Sequence, residues 1–189
     1  MPRILPALVL LLASTAPIWA EPIAGKDAKK ALFAPVVAEV DILPEAELPA
    51  DMATALVMVG EAQPYYGAVA IAPEEGLMSE ATVAAANFHD TSAAGSAALA
   101  ECNGKKKTAT DCVIAAYIRP KGWAEPAFAL SSDATAAFAR YDRKSGAFAI
   151  SKATGAFGMG QGEGAVDAAL AACQAMNDKA TDCALVIQN

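Results

Sequence analysis

Four cysteines fall into two pairs, each pair ten residues apart, and the residues around them repeat. Ala97-Ala98-Leu99-Ala100-Glu101-Cys102 matches Ala168-Ala169-Leu170-Ala171-Ala172-Cys173, and Ala109-Thr110-Asp111-Cys112 matches Ala180-Thr181-Asp182-Cys183. Two matched cysteines framing an identical Ala-Thr-Asp-Cys mark an internal duplication, so the chain must fold as two copies of one small unit.

The repeat extends backward. Gly67-Ala68-Val69-Ala70-Ile71 with a turn to Gly76 pairs with Gly146-Ala147-Phe148-Ala149-Ile150 and a turn to Gly155. Leu48 to Leu56 resembles Leu130 to Phe138. Each unit opens with a short helix near Asp51 or Asp133. A hairpin follows, made of strands Tyr66–Ala72 and Leu77–Val83 in the first copy and Ala147–Ser151 and Ala156–Met159 in the second. Next come an alanine-rich helix, Ala93–Cys102 or Ala165–Met176, and a last strand, Cys112–Ile118 or Cys183–Ile187. The expected class is α+β, with two helix-hairpin-helix-strand units, largely antiparallel sheet and alanine-rich helices packed on it. The register slips by about eight residues between Gly76 and Cys102, which puts an insertion at Ala85 to Ser92, where a surface loop would carry it. The divisions are 1–20, a signal peptide; 21–44, a mobile leader; 45–118, the first repeat; 119–126, a connector; and 127–189, the second repeat.

Four cysteines allow three pairings. Only Cys102 with Cys112 and Cys173 with Cys183 uses both repeats identically, and it staples the end of each alanine-rich helix to the strand that follows. Zinc sites favour ligands two to four residues apart and redox pairs favour Cys-x-x-Cys, neither of which is present. Structural disulfides belong to an oxidising compartment, and residues 1–20 agree. A short cationic start, an apolar run over Ile4–Ala13 and a small-residue stretch ending at Ala20 have the layout of a secretory signal peptide. The run is too short to span a bilayer, so a periplasmic or secreted protein beginning at Glu21, with no membrane span after cleavage, is expected. With 14 basic against 21 acidic residues the chain carries a net charge of -7, which opposes nucleic-acid binding.

The Gly-Ala-hydrophobic-Ala-Ile strand, the turn to glycine, the alanine-rich helix ending in cysteine and the cysteine-led strand together resemble the secreted bacterial family known as domain of unknown function 4189. The likeness covers roughly Gly67–Ile118 and Gly146–Ile187. It implies an exported, disulfide-bearing module and brings no catalytic residue with it. The name aminolevulinate synthase is also associated with such relatives, but 189 residues are too few for a pyridoxal-phosphate fold with a substrate domain.

Candidate chemistry is sparse. His89 is the only histidine, in Asn87-Phe88-His89-Asp90-Thr91-Ser92. Neighbouring positions in one loop cannot line up as nucleophile, base and orienting acid, and Asp90, Thr91 or Ser92 is better placed to cap the next helix. Gly158 to Gly164 superficially matches a phosphate loop but lacks the surrounding parallel sheet, and it is expected to be a flexible linker. Lys105-Lys106-Lys107 is expected to be a solvated loop tip, and Glu74 and Glu75 are adjacent in a turn. Trp123 lies in the proline-bounded connector as either an interface anchor or a plug between subdomains. No metal or cofactor is expected. Two functions stand first on this inventory, an exported, non-enzymatic module that binds an envelope or secreted protein and a small envelope hydrolase or other enzyme that uses His89, with a purely structural role or small-ligand carriage as the remainder.

Overall fold

A computed structural model describes residues 21–35 and 37–189; the expected signal peptide lies outside the described residues. The protein is α+β, with two antiparallel sheets flanked by helices. In chain order the elements are α1 (Gly25–Ala31), β1 (Ala38–Ile42), a single 3-10 turn at Pro44–Ala46, α2 (Ala50–Gly60), β2 (Gly67–Ile71), β3 (Val83–Ala85), α3 (Thr91–Lys105), β4 (Val113–Pro120), α4 (Ser132–Phe138), β5 (Gly146–Ile150), β6 (Phe157–Gln161), α5 (Ala165–Met176) and β7 (Ala184–Gln188). The first sheet runs β1-β4-β2-β3 and the second β6-β5-β7.

The two sheets use the same register. Val69 pairs with Ala116 and Ala70 with Ile114, so the ladder skips a residue of β4; Phe148 pairs with Ile187 and Ala149 with Leu185, a skip at the corresponding place in β7. Each central strand is buried on both faces and divides its side chains by size. Ala68 and Ala70 meet Ala94, Ala98 and Cys102 of α3, while Val69 and Ile71 pack with Leu56 of α2. Ala147 and Ala149 likewise meet Ala169 and Cys173 of α5, while Phe148 and Ile150 pack with Ala134 and Phe138 of α4. A strand with methyl groups alone on one face lets a helix of the same composition lie close, and larger side chains fill the wider gap opposite.

The cysteines pair locally, Cys102 with Cys112 and Cys173 with Cys183, at Cα separations of 6.2 and 6.1 Å. A carboxylate in each unit ties the hairpin turn to the stapled loop. Glu75 accepts from the backbone N–H groups of Lys107 and Thr108, at 2.6 and 3.1 Å, bonds that hold its carboxyl below the usual range. In the second unit the acid comes from the other partner: Asp182 accepts from Ser151 and from the Ala153 N–H. Replacing Cys173 and Cys183 by alanine should lower stability by about 2.5 kcal/mol, the loop-closure entropy of a ring this size. Urea denaturation checks this, and a loss below about 0.5 kcal/mol would mean that the staple does not constrain the unfolded chain.

Several expectations need correction. Leu77–Ser79 is turn rather than strand, with the Thr82 hydroxyl donating to the Leu77 carbonyl, and only Val83–Ala85 reaches β2. The extra length of the first unit is therefore divided. Gly76 and Gly155 stand 79 apart in the chain, the strand positions Val83 and Gly158 stand 75 apart, and Cys102 and Cys173 stand 71 apart. Half of the insertion lies in the hairpin turn and half before α3. The short helices do begin near Asp51 and Asp133, which lie in their first turns, and α4 opens on a serine cap, Ser131, whose hydroxyl accepts from the Ala134 N–H. Arg119 and Pro120 belong to β4, so the connector starts at Lys121.

The described residues of the expected mobile leader are packed into the fold. Ala28 of α1 is fully buried in the core of the second unit, and β1 pairs along β4 of the first. The leader thus joins both units. The strand expected over Ala156–Met159 runs on into the expected linker, so that Gly158 and Gly160 both lie in β6 directly under α5. Of the three lysines, Lys106 turns inward to donate to the Ala109 and Thr110 carbonyls and to Asp111, closing its loop.

Candidate functional site

The loop before α3 that was expected on the surface is the seam between the two units. Asn87, at φ 66°, takes a left-handed backbone that asparagine tolerates better than most residues. Its amide brackets Asp133, donating to the carboxylate at 2.9 Å and accepting the backbone N–H at 3.1 Å. Gly155 of the second unit passes under the Asn87 carbonyl, where a Cβ would come within 2.4 Å of the oxygen. The Tyr65 carbonyl accepts from the Ser132 N–H.

His89 is the centre of this seam and is only 2% exposed. Its Nδ1 lies 3.1 Å from the Ser131 backbone nitrogen, which can only donate, so Nδ1 accepts. The proton therefore sits on Nε2, which donates to the Ala156 carbonyl at 3.1 Å. Burial holds the imidazole neutral and lowers its pKa to about 4, against the opposing pull of the Ala156 carbonyl and of Asp90 and Asp182. Both ring nitrogens are engaged by backbone groups of the second unit, and no nucleophile is among its partners. Asp90 caps α3, its carboxylate accepting from the Ala93 N–H at 2.7 Å.

A cleft opens beside the seam. Its main hollow, of about 450 Å³, is lined by the first turns of α3 (Thr91, Ser92, Ser96), by Trp123 and Glu125 of the connector, and by Lys152. Smaller hollows continue it in two directions. One runs past the α3 hydroxyls to Tyr117 and Arg119; the other runs past Asp90 and Lys152 to Phe128, Leu185 and His89.

Three side-chain atoms at this cleft are buried without a hydrogen-bond partner: Tyr66 Oη, Trp123 Nε1 and Arg119 Nε. They form one cluster. The Arg119 guanidinium lies 4.3 Å from the Trp123 ring centre and 5.1 Å from that of Tyr117, and it pairs with Asp41. The Trp123 indole N–H faces the Tyr66 phenol without good hydrogen-bond geometry. The Tyr66 hydroxyl is pushed up to about 12, first by burial and then by Tyr65, with partial relief from that indole. Buried polar groups are nearly always satisfied, and an orphaned one costs about 1–3 kcal/mol, so a cluster of poorly satisfied atoms is unusual.

The expected site residues thus divide. The cysteines are structural staples, His89 joins the two units, and Trp123 walls the cleft. Tyr66 was not anticipated as a site residue, and Arg119 only as a basic neighbour of Trp123. The available signal was a break in the repeat, since Tyr65-Tyr66 precedes Gly67 where Lys144-Ser145 precedes Gly146. Among the described residues no group of three or more His, Cys, Asp or Glu could hold a metal ion, and no helix is long and apolar enough to cross a membrane. Comparison with protein-family models, with curated proteins and with solved structures found no match.

Proposed function

We propose that the chain is an exported binding module, periplasmic or secreted, that recognises an envelope component in the cleft beneath the connector and performs no covalent chemistry. The cluster of unpartnered buried atoms at Tyr66, Arg119 and Trp123 is the observation that carries this reading. Such groups are retained at a cost in stability, and a bound partner would satisfy them. Two disulfides support the oxidising compartment. The likeness to domain of unknown function 4189 goes with the same reading, as an exported module without known catalytic residues.

The enzymatic alternative needs His89 as a general base. A base must offer a free lone pair within reach of the proton it takes, and here the one lone pair of the neutral ring already accepts from Ser131.

The test presents native envelope extract, including its protein and low-mass fractions, to the immobilised oxidised protein. Material retained by the wild type should be lost with Trp123→Ala and kept with His89→Gln. Equal retention by Trp123→Ala would remove the cleft from the function. Turnover of any extract component that disappears with the folded His89→Gln variant would restore the enzymatic reading.

A further inference from the structure

Resting on the cleft assigned above, we infer that its ligand is a neutral, hydroxyl-rich molecule, a saccharide of one or two rings, held between the α3 hydroxyls and the Tyr66–Trp123 pair. The charged groups of the cleft are largely committed. Asp90 caps α3, and Arg119 is paired with Asp41 and stacked on Trp123. At the exposed rim Lys152 and Glu125 carry opposite signs. The groups that remain are neutral. Among the described residues the hydroxyls of half-buried Thr91 and exposed Ser92 and Ser96 make no hydrogen bond within the protein, and Tyr66 Oη and Trp123 Nε1 face each other without good hydrogen-bond geometry.

This set has the character of a sugar site. Hydroxyls both donate and accept, the indole N–H donates, and an aromatic ring offers an apolar surface beside them. A ligand whose hydroxyls both donate and accept can use all of them, whereas neither sign of charge is favoured in a cleft that holds Asp90 and Glu125 as well as Lys152 and Arg119. The volume of about 450 Å³ lies within the range of small-molecule sites.

Tyr66 is the group that distinguishes a ligand site from an ordinary buried phenol. It is 2% exposed, and the only group beside its hydroxyl, the Trp123 indole N–H, does not reach good hydrogen-bond geometry, which costs the unliganded protein stability. A sugar hydroxyl reaching between Tyr66 and Trp123 requires the indole to tilt, and Trp123 is the only tryptophan in residues 21–189. Its emission therefore reports directly on occupancy.

The experiment titrates the oxidised protein with methyl glucoside, maltose and the β-1,4-linked disaccharide of N-acetylglucosamine while Trp123 emission is followed. At least one saccharide should give a saturable shift that is unchanged between about 0.05 and about 0.5 M salt, since neutral recognition is not screened. Tyr66→Phe should weaken that binding at least tenfold while leaving the melting temperature of the unliganded protein unchanged or raised. Silence from every saccharide would overturn the ligand class, as would undiminished binding by Tyr66→Phe. A clear fall in the melting temperature of Tyr66→Phe would show that the hydroxyl serves only the fold, through an ordered water, and would also overturn it. Glycylglycine and inorganic phosphate are run alongside. A shift with either one that is lost in Tyr66→Phe would preserve the cleft as a binding site while refuting the saccharide; silence from all five probes, combined with equal retention of extract by Trp123→Ala, would refute both.

Discussion

Gly160→Ala is expected to abolish folding of the second unit, with a loss of at least about 4 kcal/mol. A Cβ at this position would stand 1.9 Å from the Ala165 carbonyl oxygen and 2.7 Å from its carbon; at Gly158 it would stand 2.1 Å from the Ala169 oxygen and 2.3 Å from the Cys173 nitrogen. These are backbone atoms of α5, so no rotamer change relieves the clash. Only retreat of the whole helix would, and the Cys173–Cys183 staple restrains its far end. Alternate glycines in β6 therefore present a bare strip of backbone on which α5 rests. The opposite sign is expected at Gly104, in the last turn of α3, where a Cβ meets nothing within 4 Å. There alanine should gain up to about 1 kcal/mol by restricting the unfolded chain. Urea denaturation of the three oxidised proteins decides the matter, and a Gly160→Ala variant within about 1 kcal/mol of the parent would refute the close packing.

Acid should open the seam before it reaches the carboxylates. His89 titrates near 6.5 when unfolded and near 4 in the folded protein, so between those values the unfolded state binds more protons. Stability contributed by the neutral ring is complete above about pH 6.5 and is lost as pH falls toward 4, by an amount on the order of 3 kcal/mol. The carboxyls of Glu75 and Asp142, held low by backbone donors, act in the same direction but at lower pH. His89→Gln keeps a side-chain N–H for the Ala156 carbonyl and cannot titrate. It should be less stable than the parent at pH 7 and show almost no change in denaturation midpoint between pH 7 and pH 4.5. Parallel pH profiles for the two proteins would mean that His89 is not the titrating group.

What could be read from the sequence was local. The cysteine pairs close loops of ten residues, and the bounds of α5 coincide with the expected Ala165–Met176 because its start and end signals lie within the helix and its flanks. The features that escaped depend on distant partners. His89 looked like a member of a polar loop because Ser131 and Ala156, which bind it, lie 42 and 67 residues away. β1 looked like leader because its hydrogen bonds go to β4, across most of the first unit. The expectation of a linker over Gly158–Gly164 rests on the frequent use of glycine in turns; the spacing of two between Gly158 and Gly160, beside an alanine-rich helix, is the sign of a strand face. Leu77 and Met78 read as the start of a strand by their apolar character, yet Met78 is 84% exposed and the turn containing it is closed by Thr82. At the cleft, Trp123 was recognised from composition alone, while Tyr66 and Arg119 become notable only when burial shows that their polar atoms lack partners.

The leader's first residues carry a topological consequence. Ile23 exchanges backbone hydrogen bonds with Val186 and Gln188, and the Gly25 N–H donates to the side chain of Asn189. The two extremities of the described chain lie side by side, so the backbone is nearly a closed ring. Because α1 packs on the second unit while β1 completes the first sheet, the units are interlaced at both of their covalent junctions rather than strung as beads. A ring of this kind can be cut elsewhere: a short link across Ile23 and Asn189 would allow new ends at an exposed loop such as Lys105–Asp111, whose shape the Cys102–Cys112 bridge would still hold. Circular permutation is thus built into the architecture, and the order in which the units follow one another in the gene is incidental to how they pack.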